Sequence, residues 1–290
     1  MDVCLITGTS TGIGEAAALS FARAGFRVYA TMRNLAKSDT LKNAAAAEDL
    51  PVTVVQLDVT DQDSITRAVS EVLEAEGRID VLVNNAGLGA ACPVETYPED
   101  EHRAMFETNY WGPVRLIQAV LPGMRERGSG AILNVSSIMG RTGGVNQATY
   151  CASKFAIEGL SESLALELAP LGIRVAIIEP GVIGTPIFEN TPLHYDETSP
   201  YVRTMQQCGM FYRTAVPQAT PPREIGDMMV EAVKSEQPRL RWLHGTADSL
   251  AERRAQMSDE DYVSLSSLDG AAYSERYKQL FGLDLSAADK

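Results

Sequence analysis

Short apolar runs rich in β-branched residues alternate with longer stretches of helical periodicity from the start of this chain to about Pro180. The runs occupy residues 3–7, 28–31, 52–57, 81–83, 131–135 and 175–178. Continuous apolar runs, rather than alternating ones, mark strands covered on both faces, as in a parallel sheet. Helical patterns fill residues 15–24, 64–76, 104–126 and 152–169. Strand–helix alternation of this kind predicts a doubly wound, Rossmann-type α/β sheet of about seven strands with helices on both faces. Beyond Pro180 the pattern changes. Residues 185–222 are rich in prolines, aromatics and methionines without a clear strand, and are expected to form a substrate-binding lid. A helix (224–234) and a possible last strand (239–243) follow. The stretch 248–290 is polar, helical or loosely packed, and its pattern assigns it no role. One Rossmann-type domain over 1–290 is expected.

Composition narrows function more than fold. With 45% hydrophobic and 22% charged residues the chain has the makings of a core, so disorder is not indicated. A net charge of −13 lacks the basic footprint that a phosphate backbone needs, which argues against nucleic acid. Cys4, Cys92, Cys151 and Cys208 show no C-x-x-C spacing, and His102, His194 and His244 no H-E-x-x-H, so no metal site is expected. Scattered free thiols suit a reducing compartment. No apolar run reaches the roughly 18 residues that span a bilayer. The first strand begins too early to leave room for a signal peptide. A cytoplasmic location is the expectation.

Chemistry enters at Thr7-Gly8-Thr9-Ser10-Thr11-Gly12-Ile13-Gly14, between the first strand and the first helix. Glycines there allow a tight turn and let the backbone approach a pyrophosphate that faces a helix N-terminus. A glycine triplet alone also fits a plain strand–helix turn. The T-G-x-x-x-G-I-G spacing, however, resembles that of the short-chain dehydrogenase/reductase family in its compact single-domain branch. Further marks follow in order: Asp58, Asn84-Asn85-Ala86-Gly87, Asn109, Ser137, Tyr150-Cys151-Ala152-Ser153-Lys154, and Pro180-Gly181 through Thr185. The resemblance covers residues 2–185. It implies hydride transfer between a nicotinamide cofactor and a carbonyl or secondary alcohol. It further implies that Gly8, Ser10, Gly12, Ile13 and Gly14 cradle the pyrophosphate and that Asp58 and Val59 cap the adenine end. Asn84, Ala86 and Gly87 would line the middle of the cofactor, and Pro180, Gly181, Val182 and Thr185 would contact the nicotinamide carboxamide.

Cofactor choice turns on the end of the second strand, Ala30-Thr31-Met32-Arg33-Asn34. Met32 stands where the family's NAD-type aspartate would be. A carboxylate there would repel a 2′-phosphate, whereas Arg33 can hold one with charge-assisted hydrogen bonds. NADP is therefore expected, with NAD possible, because the glycine-rich turn carries no basic residue.

Reduction of a carbonyl leaves an alkoxide, so a proton donor is required; a tyrosine serves only if its pKa falls well below about 10. Lys154 lies four residues after Tyr150, on the same helix face, and its cation together with the positive nicotinamide of an oxidised cofactor would favour the phenolate. Ser137 can donate to the substrate oxygen as charge develops there. By resemblance, Lys154 also bonds the nicotinamide ribose, and the Asn109 main chain holds a relay water. Cys151 reads as a packed helix residue rather than a nucleophile.

The segment after the sixth strand carries Ile187, Phe188, Leu193, Tyr195, Tyr201, Met205, Met210, Phe211 and Tyr212, which suits a hydrophobic substrate such as a steroid, retinoid or lipid, or simply packs the lid. The Val28 to Asn34 stretch resembles the hydroxysteroid and retinol dehydrogenases of this family. His194 reads as an exposed loop residue. A homodimer or homotetramer is expected by analogy, paired through the helices at 104–126 and 152–169. An epimerase or dehydratase of the same family, an NAD-preferring dehydrogenase, and a non-catalytic cofactor-sensing protein stay open as alternatives.

Overall fold

The computed structural model describes residues 1–187, 198–237 and 239–286, and for Asp248 and Ser249 the backbone alone. Seven strands form one sheet: β1 (Val3–Thr7), β2 (Arg27–Met32), β3 (Val52–Gln56), β4 (Val81–Asn84), β5 (Gly130–Val135), β6 (Ile173–Pro180) and β7 (Arg241–His244). Their order is β3-β2-β1-β4-β5-β6-β7, and every pairing is parallel. This is the doubly wound sheet that the apolar runs predict. The strand order reverses between β1 and β4, the point at which doubly wound sheets hold a ligand outside the carboxyl ends of their strands.

Each face of the sheet has its own core. Helices α1 (Gly12–Arg23) and, later in the chain, Pro222–Lys234 cover one face, with Phe21, Met229 and Trp242 buried between them and the strands. The two helices touch closely enough that a Cβ at Gly226 would lie 3.0 Å from the Ala16 carbonyl oxygen. The other face packs against helices 62–76, 112–127 and 148–168 through Ile65, Val72, Leu116, Met124 and Leu164.

Numbered along the chain, the remaining helices are α2 (Asp39–Ala47), α3 (Gln62–Glu76), α4 (Glu99–Phe106), α5 (Gly112–Arg127), α6 (Ala148–Leu168), α7 (Val202–Ala215), α8 (Pro222–Lys234), α9 (Thr246–Gln256), α10 (Asp259–Leu265) and α11 (Gly270–Phe281). Helix α2 departs from expectation: only Leu41 and Ala45 of it are buried, too few to show a periodic face. The helix expected at 104–126 starts earlier and contains a π-helical turn, Glu107–Trp111, between α4 and α5. Pro113 lacks the N–H that would close an α-helical bond onto the Asn109 carbonyl, which gives a physical reason for the widened turn.

For the C-terminal stretch, the helical alternative holds. The stretch is neither loose nor apart from the rest. Leu250, Leu265, Tyr273, Phe281 and Leu285 build a small core with Ile138 and Met210. Gln207 of α7 donates to the Ser266 and Leu268 carbonyls at 3.2 and 2.6 Å. The apolar positions fall in three short helices broken at Ser258 and Asp269-Gly270, which hides their periodicity. Of the residues expected in the lid, Phe188, Leu193, His194 and Tyr195 lie outside the described residues. No helix among the described residues is long and apolar enough to cross a membrane.

Candidate active site

The glycine-rich turn sits at the strand-order reversal, and its glycines answer to specific neighbours. Gly8 has φ +71°, and a Cβ there would lie 2.8 Å from the Cα of Ala86. Gly12 has φ +64° and faces Thr185, whose Cγ2 would be 3.0 Å from such a Cβ. Gly14 would put a Cβ 2.3 Å from the Gly8 carbonyl oxygen. The turn thus exposes backbone at the N-terminus of α1, where the helix dipole and unpaired N–H groups favour a phosphate. Ser10 and Ile13 lie on it half-buried. Its exposed backbone could hold a pyrophosphate.

Asn85 holds this turn, and the sequence reading passed over it in favour of Asn84. Its side-chain amide donates to the Thr7 and Gly8 carbonyls at 2.8 and 3.1 Å, while Thr7 Oγ1 accepts from the Asn85 and Ala86 N–H groups at 3.0 Å each. The Asn84 side chain instead turns into the interior and donates to Asn134 Oδ1 at 2.8 Å, so only its backbone is left to face the crevice. Period-2 alternation at the end of β4, which sends adjacent side chains to opposite sides, is the signal that distinguishes the two. Asn85→Ala is expected to lower stability by about 1–2 kcal/mol and to weaken nicotinamide-cofactor binding several-fold, because two carbonyls lose their donor. Urea denaturation and fluorescence titration check this; unchanged values for both would contradict the role.

After β3, where the resemblance implies the adenine end, Asp58 Oδ1 accepts from the N–H and hydroxyl of Thr60 at 3.0 and 2.8 Å, closing a local turn. Val59 is buried and packs onto Gly112, where a Cβ would sit 2.9 Å from Val59 Cβ. Arg33 is exposed at the rim, and among the described residues its guanidinium has no partner; its carbonyl accepts from Gln56. Met32 is only 2% exposed and belongs to the core. At the end of β6, Pro180 and Val182 are buried, and the Val182 N–H donates to Thr246 Oγ1 at 3.1 Å. Gly181 lies so close to α9 that a Cβ would come 2.3 Å from that same hydroxyl.

Ser137, Tyr150, Lys154 and Asn109 converge from three elements. Tyr150 lies on the first turn of α6, beside Ala90, Cys92, Tyr97 and Met105. Lys154 is buried one turn later, its Nζ donating to the Val135 carbonyl at 2.9 Å and lying 5.7 Å from the Tyr150 ring centroid. Gly87 opens onto it: a Cβ there would be 3.7 Å from Lys154 Nζ. Ser137, at the end of β5, accepts from the Met139 N–H at 3.2 Å. The Asn109 side chain is committed to structure, accepting from Leu88 N–H at 2.8 Å and donating to Leu88 O and Ser153 Oγ at 2.9 and 3.0 Å. It pins the loop after β4 to the helix bearing Tyr150 and Lys154.

The electrostatics differ from the sequence expectation. Although Tyr150 keeps some exposure, desolvation pushes its phenol up to about 12, and the hydrogen-bonded Ser137 hydroxyl works in the opposite sense. Desolvation likewise brings Lys154 down to about 8, opposed by the charge of Glu158. Burial penalises the charged form of each partner, so the lysine alone does not make the phenol acidic. Cys151 is buried and its thiol is raised by that burial, which fits a packed helix residue.

A cavity of about 320 Å³ opens beside this group, between the Ser137–Tyr150 loop, α7 and the C-terminal helices. Met139, Gln147, Phe211, Tyr212, Tyr262 and Phe281 are among its walls, and no charged side chain lines it among the described residues. Tyr150 is not in its lining; Gln147, three residues earlier, is, and donates to the Tyr212 hydroxyl.

The sequence model for the short chain dehydrogenases matches residues 2–196. The chain belongs to the short-chain dehydrogenase family. It is accordingly an oxidoreductase that depends on a nicotinamide cofactor. Human 17-beta-hydroxysteroid dehydrogenase type 1 is 39% identical over 258 residues, covering 83% of this chain and 76% of that protein. Human retinol dehydrogenase 8 is 38% identical over 251 residues, covering 82% and 79%. Among solved structures, a short-chain dehydrogenase from Streptomyces avermitilis superposes with TM-score 0.78 at 36% identity, covering 91% of this chain and 97% of its own. A metagenomic short-chain oxidoreductase in complex with NADP gives 0.68 at 28% identity, covering 84% and 96%. Within this short-chain dehydrogenase, the C-terminal helices that wall the cavity lie beyond the residues that the family model matches.

Proposed function

We propose that this short-chain dehydrogenase uses NADP(H) to interconvert a secondary alcohol and a ketone or aldehyde on an uncharged hydrophobic substrate, with Tyr150 as the proton-transfer group. The observation that carries the reading is the Ser137–Tyr150–Lys154 group, its serine and lysine buried, beside a cavity without charged walls. When bound, the nicotinamide cofactor supplies or takes up the hydride. Gly8, Ser10, Gly12, Ile13 and Gly14 hold its pyrophosphate; Arg33 takes the 2′-phosphate; Asp58 and Val59 flank the adenine; Ala86, Gly87 and the Asn84 backbone line its middle; Pro180, Gly181, Val182 and Thr185 meet the carboxamide end. Tyr150 gives its proton to the substrate oxygen in reduction and receives it in oxidation. Ser137, whose oxygen accepts from Met139 and whose hydroxyl bonds Tyr150, would turn its proton to the same substrate oxygen once a substrate is in place. Lys154 favours the phenolate, bonds the nicotinamide ribose, and passes protons towards the turn held by Asn109.

The walls favour steroid-, retinoid- or lipid-like molecules, since tyrosine and phenylalanine bury apolar area while tyrosine hydroxyls leave hydrogen-bonding points. The names of the two human relatives point the same way. Helix α7, the described helix of the expected lid, covers this pocket, and α9, α10 and α11 form its outer wall. A panel of hydrophobic ketones and alcohols, followed by nicotinamide absorbance with each cofactor, tests the reading. Turnover of apolar ketones with NADPH is expected; turnover confined to charged or sugar substrates would overturn it. Ketone reduction needs Lys154 charged and Tyr150 protonated. Lys154 sits at about 8 and Tyr150 at about 12, so the rate should hold below about 8 and fall as pH rises through the lysine's ionisation. A rate still rising above that point contradicts the assignment.

A further inference from the structure

One helical turn beyond Lys154, Glu158 enters a cluster of charges that the proton-transfer group does not include. Glu158 and Glu179 are 5% and 0% exposed. Arg241 Nε lies 3.2 Å from Glu158 Oε2 and 3.2 Å from Glu179 Oε1, and Arg141 Nη1 lies 3.3 Å from Glu179 Oε2. Arg241 also reaches the exposed Glu162 at 2.9 Å. Gly140 leaves room for the cluster: a Cβ there would be 2.6 Å from Ser136 Oγ and 2.9 Å from Glu158 Cγ.

The cluster joins the pieces that carry the candidate chemistry. Arg141 ends the short 3-10 turn that follows Ser137, Glu158 stands on the Tyr150–Lys154 helix, and Glu179 immediately precedes Pro180 and Gly181. Burying two carboxylates together is expensive, and a hydrophobic set of the same shape would serve packing as well or better. Burial raises both carboxyl groups, and the charge of Glu158 raises Glu179 further, while Arg141 and Arg241 pull both down. A cost of that kind calls for a return elsewhere, and Lys154 is where it falls. Desolvation makes the lysine easier to deprotonate, and Glu158, one helical turn away and equally buried, is the charge that opposes it.

We propose that Glu158 is a positioning residue for the reaction: a buried carboxylate one turn behind Lys154 that keeps the lysine in its ammonium form, held there by Arg241 and backed by Arg141 and Glu179. The groups that bear on this ionisation are Tyr150 and Glu162 on the same helix, Arg141 beyond the 3-10 turn, Glu179 on β6 and Arg241 on β7. Its consequence for turnover rests on the proton-transfer role proposed for Tyr150 and Lys154; its electrostatic content does not.

The chain has six lysines, so 13C-lysine NMR of the cofactor-free protein can follow Lys154 directly, with Lys154→Met assigning its signal. In Glu158→Gln, Lys154 should lose its proton roughly half a pH unit or more below wild type, whereas Glu162→Gln should leave it in place. If Glu158→Gln fails to fold because Arg241 loses one of its three carboxylates, Glu158→Gln with Arg241→Met removes both charges and should move Lys154 in the same direction by a smaller amount. In ketone reduction, the alkaline limb should move down by the same amount with KM little changed. A Lys154 titration coincident with wild type, or a loss of rate that is uniform across pH, overturns the proposal. Should wild type reduce no ketone, the functional reading fails while the NMR titration still decides this one.

Discussion

Tyr150→Phe is expected to lower kcat for ketone reduction by about 10²–10⁴-fold, the usual worth of a positioned general acid, while the Kd for NADPH changes by less than about threefold. The substitution removes one hydroxyl and keeps the ring among Ala90, Cys92, Tyr97 and Met105, so packing is preserved. Lys154 keeps its bond to the Val135 carbonyl, and the glycine-rich turn is held by Asn85, far from the change in sequence. Binding and chemistry should therefore separate. Steady-state rates alongside fluorescence titration of NADPH measure both, and a variant retaining more than about a tenth of wild-type kcat would refute the acid/base role.

Arg33→Ala should cost about 10–100-fold in kcat/KM with NADPH and less than about threefold with NADH, since a charge-assisted contact to a phosphate is worth about 1.5–3 kcal/mol. The expectation rests on an exposed guanidinium with no partner among the described residues. The neighbouring position is a poorer probe than its sequence suggests. Met32 is packed in the core, so Met32→Asp would bury a carboxylate and confound selectivity with stability. Equal losses with both cofactors in Arg33→Ala would remove the 2′-phosphate from the account.

The sheet was legible because its strands are apolar on both faces, and six of the seven stood out as uninterrupted runs. The seventh, β7, begins two residues later than the run suggests, because Trp242 Nε1 turns back to the Arg239 carbonyl and Arg239 stacks over the indole. The candidate site was legible through local spacing: the glycines of one turn, and Tyr150 and Lys154 one helical turn apart. Three things were not. Asn85 was passed over because its neighbour has the same side chain, and only the direction of each at the strand end tells them apart. The C-terminal helices escaped because each is too short to show a face, and their core forms only against Ile138 and Met210 from distant segments. Glu158 and Glu179 could not be paired because they are adjacent only through Arg241, which lies on a third element.

On the proposed reading, Tyr150, held protonated by desolvation, becomes acidic enough to exchange a proton once the oxidised cofactor is in place beside Lys154. Near-ultraviolet phenolate absorbance of wild type minus Tyr150→Phe, titrated with and without saturating NADP+, measures this directly. Without the cofactor the difference should appear only near about 12, and with it the phenolate should form at markedly lower pH. Titrations that coincide under the two conditions would contradict the account.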